Sequence, residues 1–194
     1  IFGKSFLSHI YYLINQTIDT LDGLQNGYLK RNYDTFKDMN PASKDSSHQV
    51  IIIGGGLAGL VNAIHLSKNG IDVLLIEKNE YPKHKVCGEY ISKEVLPYLS
   101  YLGVDPFDHG AVDISRFELS TSRGKTIKTD LPLGGFGISR YKLDHVLYKT
   151  AVANGALIEL DSVTNMRFLE KEGRFVVNCK TGKEYNAKII IGAY

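Results

Sequence analysis

The sequence predicts an α/β fold in which a parallel sheet with its covering helix leads into a strand-rich second half. Three observations carry that expectation. The stretch 50-VIIIGGGLAGLVNAIHLSKNGIDVLLIEK-78 reads as strand, glycine turn, helix and second strand, the usual opening of such a domain. From Ala156 onward, 156-ALIEL-160, 162-SVTNMRFLEK-171, 173-GRFVVNCK-180 and 184-EYNAKIIIGA-193 read as strands joined by turns. The composition, 43% hydrophobic and 23% charged over 194 residues with 19 glycines and 5 prolines, suits one well-filled globular domain with a small appendage.

Taken in order, residues 1–36 place Phe6, Leu7, Ile10, Leu13, Ile14, Ile18, Leu21 and Leu24 at helical spacings, with a break near Gly23. The polar stretch 37-KDMNPASKDSSHQ-49 reads as a linker. The expected organisation is therefore a helical extension or upstream segment over 1–38, a linker over 39–48, and a nucleotide-binding domain over 49–194 that is incomplete at its C-terminal end. Within that domain, 92-SKEVLPYLSYLGV-104 reads as a short helix with Pro97 in its first turns. Segments 112-VDISRFELST-121 and 124-GKTIKTDL-131 form a hairpin turning at Ser122 to Gly124. A helix follows in 140-RYKLDHVLYKTAVANGA-156, with Leu143, Val146, Leu147, Thr150 and Ala151 on one face and Asn154-Gly155 ending it.

Several function classes are disfavoured at the outset. A net charge of +2 creates no strong field, so nucleic acid is not an expected partner. No run approaches the ~20 apolar residues of a spanning helix, and no secretory signal is visible. Cys87 and Cys179 match no metal or disulfide spacing, so no metal is expected and a cytoplasmic location is the default. The sequence opens at Ile1 and closes on 187-AKIIIGAY-194, which reads as a piece of a longer polypeptide.

The glycine stretch carries the chemistry. Gly54 permits a sharp turn out of the first strand, Gly56 lets a pyrophosphate approach the backbone, and Gly59 allows close helix–strand packing. The helix that begins at Leu57 and Ala58 offers free N–H groups and the positive end of its dipole to phosphates. Glu77, followed by Lys78, ends the second strand where a carboxylate accepts hydrogen bonds from ribose hydroxyls and repels a 2′-phosphate. This is a Rossmann-like dinucleotide site that suits FAD or NAD and disfavours NADP.

Two further segments narrow the choice. The loop 82-PKHKVCGEYIS-92 resembles the proline-to-Cys-Gly-Glu loop of the geranylgeranyl reductase family, which is related to aromatic-hydroxylase-type FAD monooxygenases. The segment 137-GISRYKLDHVLYKTAVANGA-156 resembles that group's arginine-led helix through Arg140, Leu143, Asp144 and Leu147, and 189-IIIGA-193 resembles its late strand and glycine-alanine turn. The resemblance covers roughly residues 48–194. It implies a Rossmann-like FAD-binding domain with a parallel sheet, a β-meander and the start of a substrate-domain sheet. It also implies FAD as cofactor, with NAD(P)H or another reductant as electron donor.

By the same resemblance, Gly54, Gly56, Gly59 and Glu77 hold the ADP half of FAD, with Leu57, Ala58 and Lys78 as neighbouring contacts. Cys87 and Gly88 lie beside the flavin or its ribityl chain, Arg140 faces the cofactor and Val163 sits near the adenine. Tyr194 departs from the family, many of whose members have aspartate before a glycine there. Blander roles stand beside these: Arg140 as a solvated first-turn residue capped by Ser139, Val163 and Cys179 as core, and His65 and His145 as packing or solvated residues rather than catalytic ones. The basic run Lys83, His84, Lys85 is either solvated or meets an anionic group. As a nucleophile Cys87 lacks a defined base.

The implied reaction is reduction of carbon–carbon double bonds in an isoprenoid-like or other apolar substrate. An FAD-dependent hydroxylase is the alternative, and a non-catalytic or truncated nucleotide-binding fragment is a third. The chain has no tryptophan and so lacks a halogenase-type tryptophan motif. The expected partner is a small apolar substrate, with peripheral membrane contact left open. The 194-residue piece expressed alone is expected to be unstable or cofactor-free.

Overall fold

The computed structural model describes residues 46–87 and 89–194. The helical extension expected over 1–38, most of the linker, and Gly88 lie outside the described residues. In chain order the first elements are β1 (Ser47–Ile53), α1 (Leu57–Lys68), β2 (Val73–Glu77), β3 (Tyr90–Ser92), α2 (Leu96–Leu102), β4 (Val112–Ser120) and β5 (Thr126–Gly137). After them come α3 (Arg140–Ala153), β6 (Leu157–Leu160), β7 (Val163–Leu169), β8 (Arg174–Cys179) and β9 (Glu184–Gly192). Short 3-10 turns cover Lys93–Val95 and Phe107–His109. The chain divides into two compact units, one made of the described residues up to Asn79 with Ala151–Tyr194, the other Glu80–Thr150.

The first unit is a six-stranded sheet in the order β6-β2-β1-β9-β8-β7. β1 pairs in parallel with β2 and β9, and β2 with β6. The meander β7-β8-β9 closes the sheet with antiparallel pairs. Strands covered on both faces need apolar side chains at every position, which is why Val50 to Ile52 and Val73 to Ile76 are unbroken apolar runs and are buried. β1 starts earlier than the apolar run because pairing with β9 continues back through Ser47↔Asn186 and His48↔Ala187. His48 is accordingly buried, its Nδ1 3.1 Å from an Asp72 carboxylate oxygen.

α1 packs on β1 and β2 and buries an uninterrupted run from Gly59 to Leu66. Leu60, Ile64 and Leu66 each contribute roughly 1.5–3 kcal/mol by leaving water. His65 is buried with them. Burial first, and then the Lys68 charge, pushes its pKa below the ordinary value, which fits a packing role.

Cys179 closes β8 inside a core cluster with Ile51, Ile76, Val177 and Tyr185. Burial, helped by the Asp161 and Glu159 carboxylates, raises its thiol pKa from 9.0 to about 11. The folded value exceeds the unfolded one, so the associated stability is complete below pH 9.0 and drains away as pH rises towards about 11. Urea midpoints should therefore fall more steeply over that interval for the wild type than for Cys179→Ala. Equal slopes would remove the thiol from the effect.

The second unit holds a three-stranded antiparallel sheet in the order β3-β5-β4. The hairpin turns as expected, with the Thr121 N–H donating to Lys125 O at 2.8 Å and the Gly124 N–H to Thr121 O at 3.0 Å. β5 runs on through Gly137 rather than ending near Leu131, because 135–137 pair with β3 on one side and β4 on the other. Glycine suits position 135, since a Cβ there would fall 2.8 Å from the backbone Ile91 O and also displace the Tyr90 ring. α2 carries Pro97 in its first turn and ends at Gly103 in the left-handed conformation, φ 83°. In α3, Leu143, Leu147 and Ala151 are buried, but Val146 and Thr150 are only half-buried, so the expected apolar face is narrower than the pattern suggested. No helix among the described residues is long and apolar enough to cross a membrane.

Candidate functional site

The glycine turn is built by three close approaches in the first unit. Gly54 has φ +105°, and its N–H donates to Ile76 O at 2.9 Å, tying the end of β1 to β2. A Cβ on Gly54 would lie 2.6 Å from Ala193 O, and one on Gly59 would lie 1.9 Å from Gly54 O. The Gly-Ala turn after β9 therefore presses on the same turn, helped by the Ala193 N–H donating to Ile53 O at 2.8 Å. The role of Ala193 was not legible beforehand, although its motif was.

Gly56 is the N-cap of α1 and supplies no side-chain hydrogen bond; the first intrahelical bond runs from the Leu60 N–H to Gly56 O at 2.9 Å. The opening N–H groups of Leu57 and Ala58 thus receive no side-chain cap. Uncapped donors over a glycine without a Cβ, at the positive end of the dipole, form a cradle suited to a pyrophosphate.

Glu77 is buried at the end of β2, with 6% of its surface exposed. Its Oε2 accepts the Gly55 N–H at 2.7 Å, and its Oε1 accepts the Asn79 N–H at 2.9 Å and Asn79 Nδ2 at 3.0 Å. The carboxylate expected to meet ribose hydroxyls therefore also holds the glycine turn in place. A carboxylate offers about four acceptor positions, so these bonds do not exclude a hydroxyl partner. Gly55 and Asn79 were not singled out from the sequence. The only signal was their closeness to the fingerprint residues.

Glu77→Gln turns one acceptor oxygen into an amide that cannot accept from these N–H groups. Hydrogen bonds to a charged group are worth roughly 1.5–3 kcal/mol, and a loss of about 2 kcal/mol is expected. Urea unfolding of the cofactor-free protein checks this, because a residue serving only a ligand would leave that measurement unchanged.

A second grouping lies in the other unit. Arg140 opens α3 and makes a two-pronged ion pair with Asp144, Nε to Oδ1 at 2.7 Å and Nη2 to Oδ2 at 2.9 Å. Asp144 is fully buried. Burial alone would lower the Arg140 pKa, but the hydrogen bond and charge of Asp144 outweigh it, and Cys87 adds in the same direction, so the guanidinium is held above its usual value. Through Tyr81 and His84 the segment leading to Cys87 lies against the arginine-led helix. Arg140 is not the solvated first-turn residue of the blander reading. Cys87 itself is exposed, and Glu89 adopts φ +53°, the left-handed region that non-glycine residues rarely occupy.

The same loop lines α3 with aromatic contacts. Tyr81 stacks on Tyr148 with centroids 4.6 Å apart, and His84 lies 4.6 Å from the Tyr141 ring. Of the remaining candidates, Lys78 is exposed just after β2. Val163 opens β7, pairs with Cys179 and packs against the core cluster.

The family model for the FAD binding domain matches residues 47–191. The chain belongs to the FAD binding domain family. Membership makes FAD its cofactor, and the cradle and carboxylate described above fit that group. The domain is 27% identical over 177 residues to conditioned medium factor receptor 1 of Dictyostelium discoideum, covering 84% of this chain and 34% of that protein. It is 34% identical over 150 residues to digeranylgeranylglycerophospholipid reductase 2 of Methanopyrus kandleri, covering 74% and 36%. The chain therefore spans about a third of the length of these curated relatives. A flavin-dependent monooxygenase solved with FAD and substrate shares the fold, with TM-score 0.65 and 19% identity over 78% of this chain and 31% of that one.

Proposed function

We propose that this FAD binding domain serves an oxidoreductase that adds two hydrogens across a carbon–carbon double bond of an apolar, isoprenoid-like substrate. NAD(P)H or another reductant supplies the electrons. The observation that carries this reading is the arginine-led helix α3, on which Arg140 is fixed to buried Asp144 by two hydrogen bonds while His84, three residues before Cys87, lies against Tyr141 of the same helix. The 34% identity to digeranylgeranylglycerophospholipid reductase 2 supports it.

Bound FAD supplies the two-electron chemistry; the chain's residues bind and orient it. Leu57 and Ala58 take the pyrophosphate on backbone N–H groups over Gly56, Gly54 and Gly59 hold the turn and helix close enough to form that cradle, Glu77 takes the ribose, and Lys78 and Val163 border the ADP half. Cys87, Gly88 and Arg140 take the flavin end, with the glycine permitting close approach. Residues 49–194 form the cofactor-binding part, joined through 39–48 to the segment 1–38. The substrate is apolar, and the protein works at or near the cytoplasm.

Anaerobic mixing of the full-length flavoprotein with NADH or NADPH, followed by an unsaturated isoprenoid, tests this. Flavin absorbance should bleach and then recover, with a product heavier by two hydrogen atoms. A product that forms only with oxygen and carries an added hydroxyl would replace this reading with the hydroxylase. Absence of flavin from the purified protein would overturn both.

A further inference from the structure

The basic run Lys83, His84, Lys85 is not used by the cofactor residues, and its His84 lies against Tyr141, which lines a groove of about 380 Å³ in the second unit. His109 from the 3-10 turn forms one wall, and Tyr141, Lys142, His145 and Lys149 from α3 form the other. Lys142, His145 and Lys149 recur at the three- and four-residue spacing that stacks side chains along one helix face. The Lys142 Nζ reaches across the groove, ending 3.4 Å from where a Cβ on Gly110 would stand. His145 Nδ1 is buried and has no hydrogen-bond partner among the described residues. His84 extends the rim by lying against Tyr141.

Charge balance sets this groove apart. Elsewhere in the same unit, Lys93 is paired with Asp113, and Lys128 with Glu118 at 3.0 Å. Among the described residues no carboxylate lines the groove, and neither Lys142 nor Lys149 has an ion-pair partner. Two lysines and two imidazoles converging on a concave surface with no counter-charge match a tetrahedral dianion, whose oxygens accept from several donors at once. A carboxylate carries one charge on two oxygens in a single plane, whereas a phosphate spreads up to two charges over three oxygens. We propose that this groove between His109 and the outer face of α3 binds the phosphate group of an anionic ligand, through Lys142, Lys149 and the flanking histidines.

The phosphate belongs either to a free phosphorylated molecule or to a lipid headgroup, and one experiment with two arms separates them. The FAD-loaded full-length protein is used, so that the glycine turn is already filled. One arm titrates pyrophosphate by calorimetry; the other sediments the protein with phosphatidylcholine vesicles with and without phosphatidate. The expected result is saturable binding in at least one arm, weakened roughly tenfold or more by Lys142→Gln with Lys149→Gln, the loss typical of a charge-assisted contact. Lys142→Arg with Lys149→Arg should retain most of the binding, and flavin content should be unchanged in both double variants. Binding to vesicles alone assigns the phosphate to a lipid, and binding to pyrophosphate assigns it to a free molecule. No saturable binding in either arm, or binding equal in the wild type and the glutamine variant, would overturn the proposal.

Discussion

Gly59→Ala is expected to destabilise the protein by about 3 kcal/mol or more and to strip it of flavin. The added Cβ would fall 1.9 Å from Gly54 O and 3.5 Å from the Ala193 Cβ. The first of these is a backbone atom, which cannot rotate away as a side chain would. Relief therefore requires α1 to move off the turn, and overpacking of this kind costs roughly 1–3 kcal/mol and occasionally more. Such a shift also displaces the N–H groups at the start of α1 from the cradle. Gly70→Ala is the matched control: Gly70 has φ +77° but nothing within 4 Å of a Cβ, so only backbone strain of roughly 1–2 kcal/mol applies. Thermal melting and the ratio of flavin to protein absorbance read both effects. A Gly59→Ala protein that is as stable and as yellow as the wild type would contradict the close packing of α1 against the turn.

Removing Arg140 is expected to have a comparable effect for a different reason. Arg140→Gln leaves the fully buried Asp144 carboxylate without its two guanidinium bonds, and an orphaned buried charge costs roughly 3–5 kcal/mol. Arg140→Met combined with Asp144→Leu removes both charges and should recover most of that loss, because the buried pair contributes little net stability over apolar packing. Urea unfolding of the two variants checks the asymmetry; equal destabilisation would mean that the pair is not the cause. Flavin retention by the stable double variant then reads any direct contact of Arg140 with the cofactor. Retention confines Arg140 to its ion pair, and loss at normal stability gives it a cofactor role.

Much of the fold could be read from local pattern. α1 spans Leu57–Lys68 as its apolar spacing predicts, and Pro97 and Asn154-Gly155 sit at the helix ends where their chemistry favours them. Misjudged boundaries occur where pairing overrides composition. Polar Ser47 and His48 join β1 because β9 lies beside them, and the glycine-rich end of β5 stays in its sheet because strands flank it on both sides. Neither partner is near in sequence, so neither could be weighed in a local window.

The same division runs through the site. Residue type and spacing by themselves determined that a glycine turn would join β1 to α1, that a carboxylate would end β2, and that an arginine would open α3. Those features depend on backbone freedom and periodicity, which act over a few residues. Only the tertiary structure decided what the side chains hold. Glu77 reaches back across 22 residues to the Gly55 N–H, Ala193 closes on Gly54 and Gly59, Arg140 settles on Asp144 beside Cys87, and Lys142 and Lys149 face a groove with no acid. A side chain's partner is chosen by which groups the fold brings within about 3 Å of it, a distance that spacing along the chain does not encode.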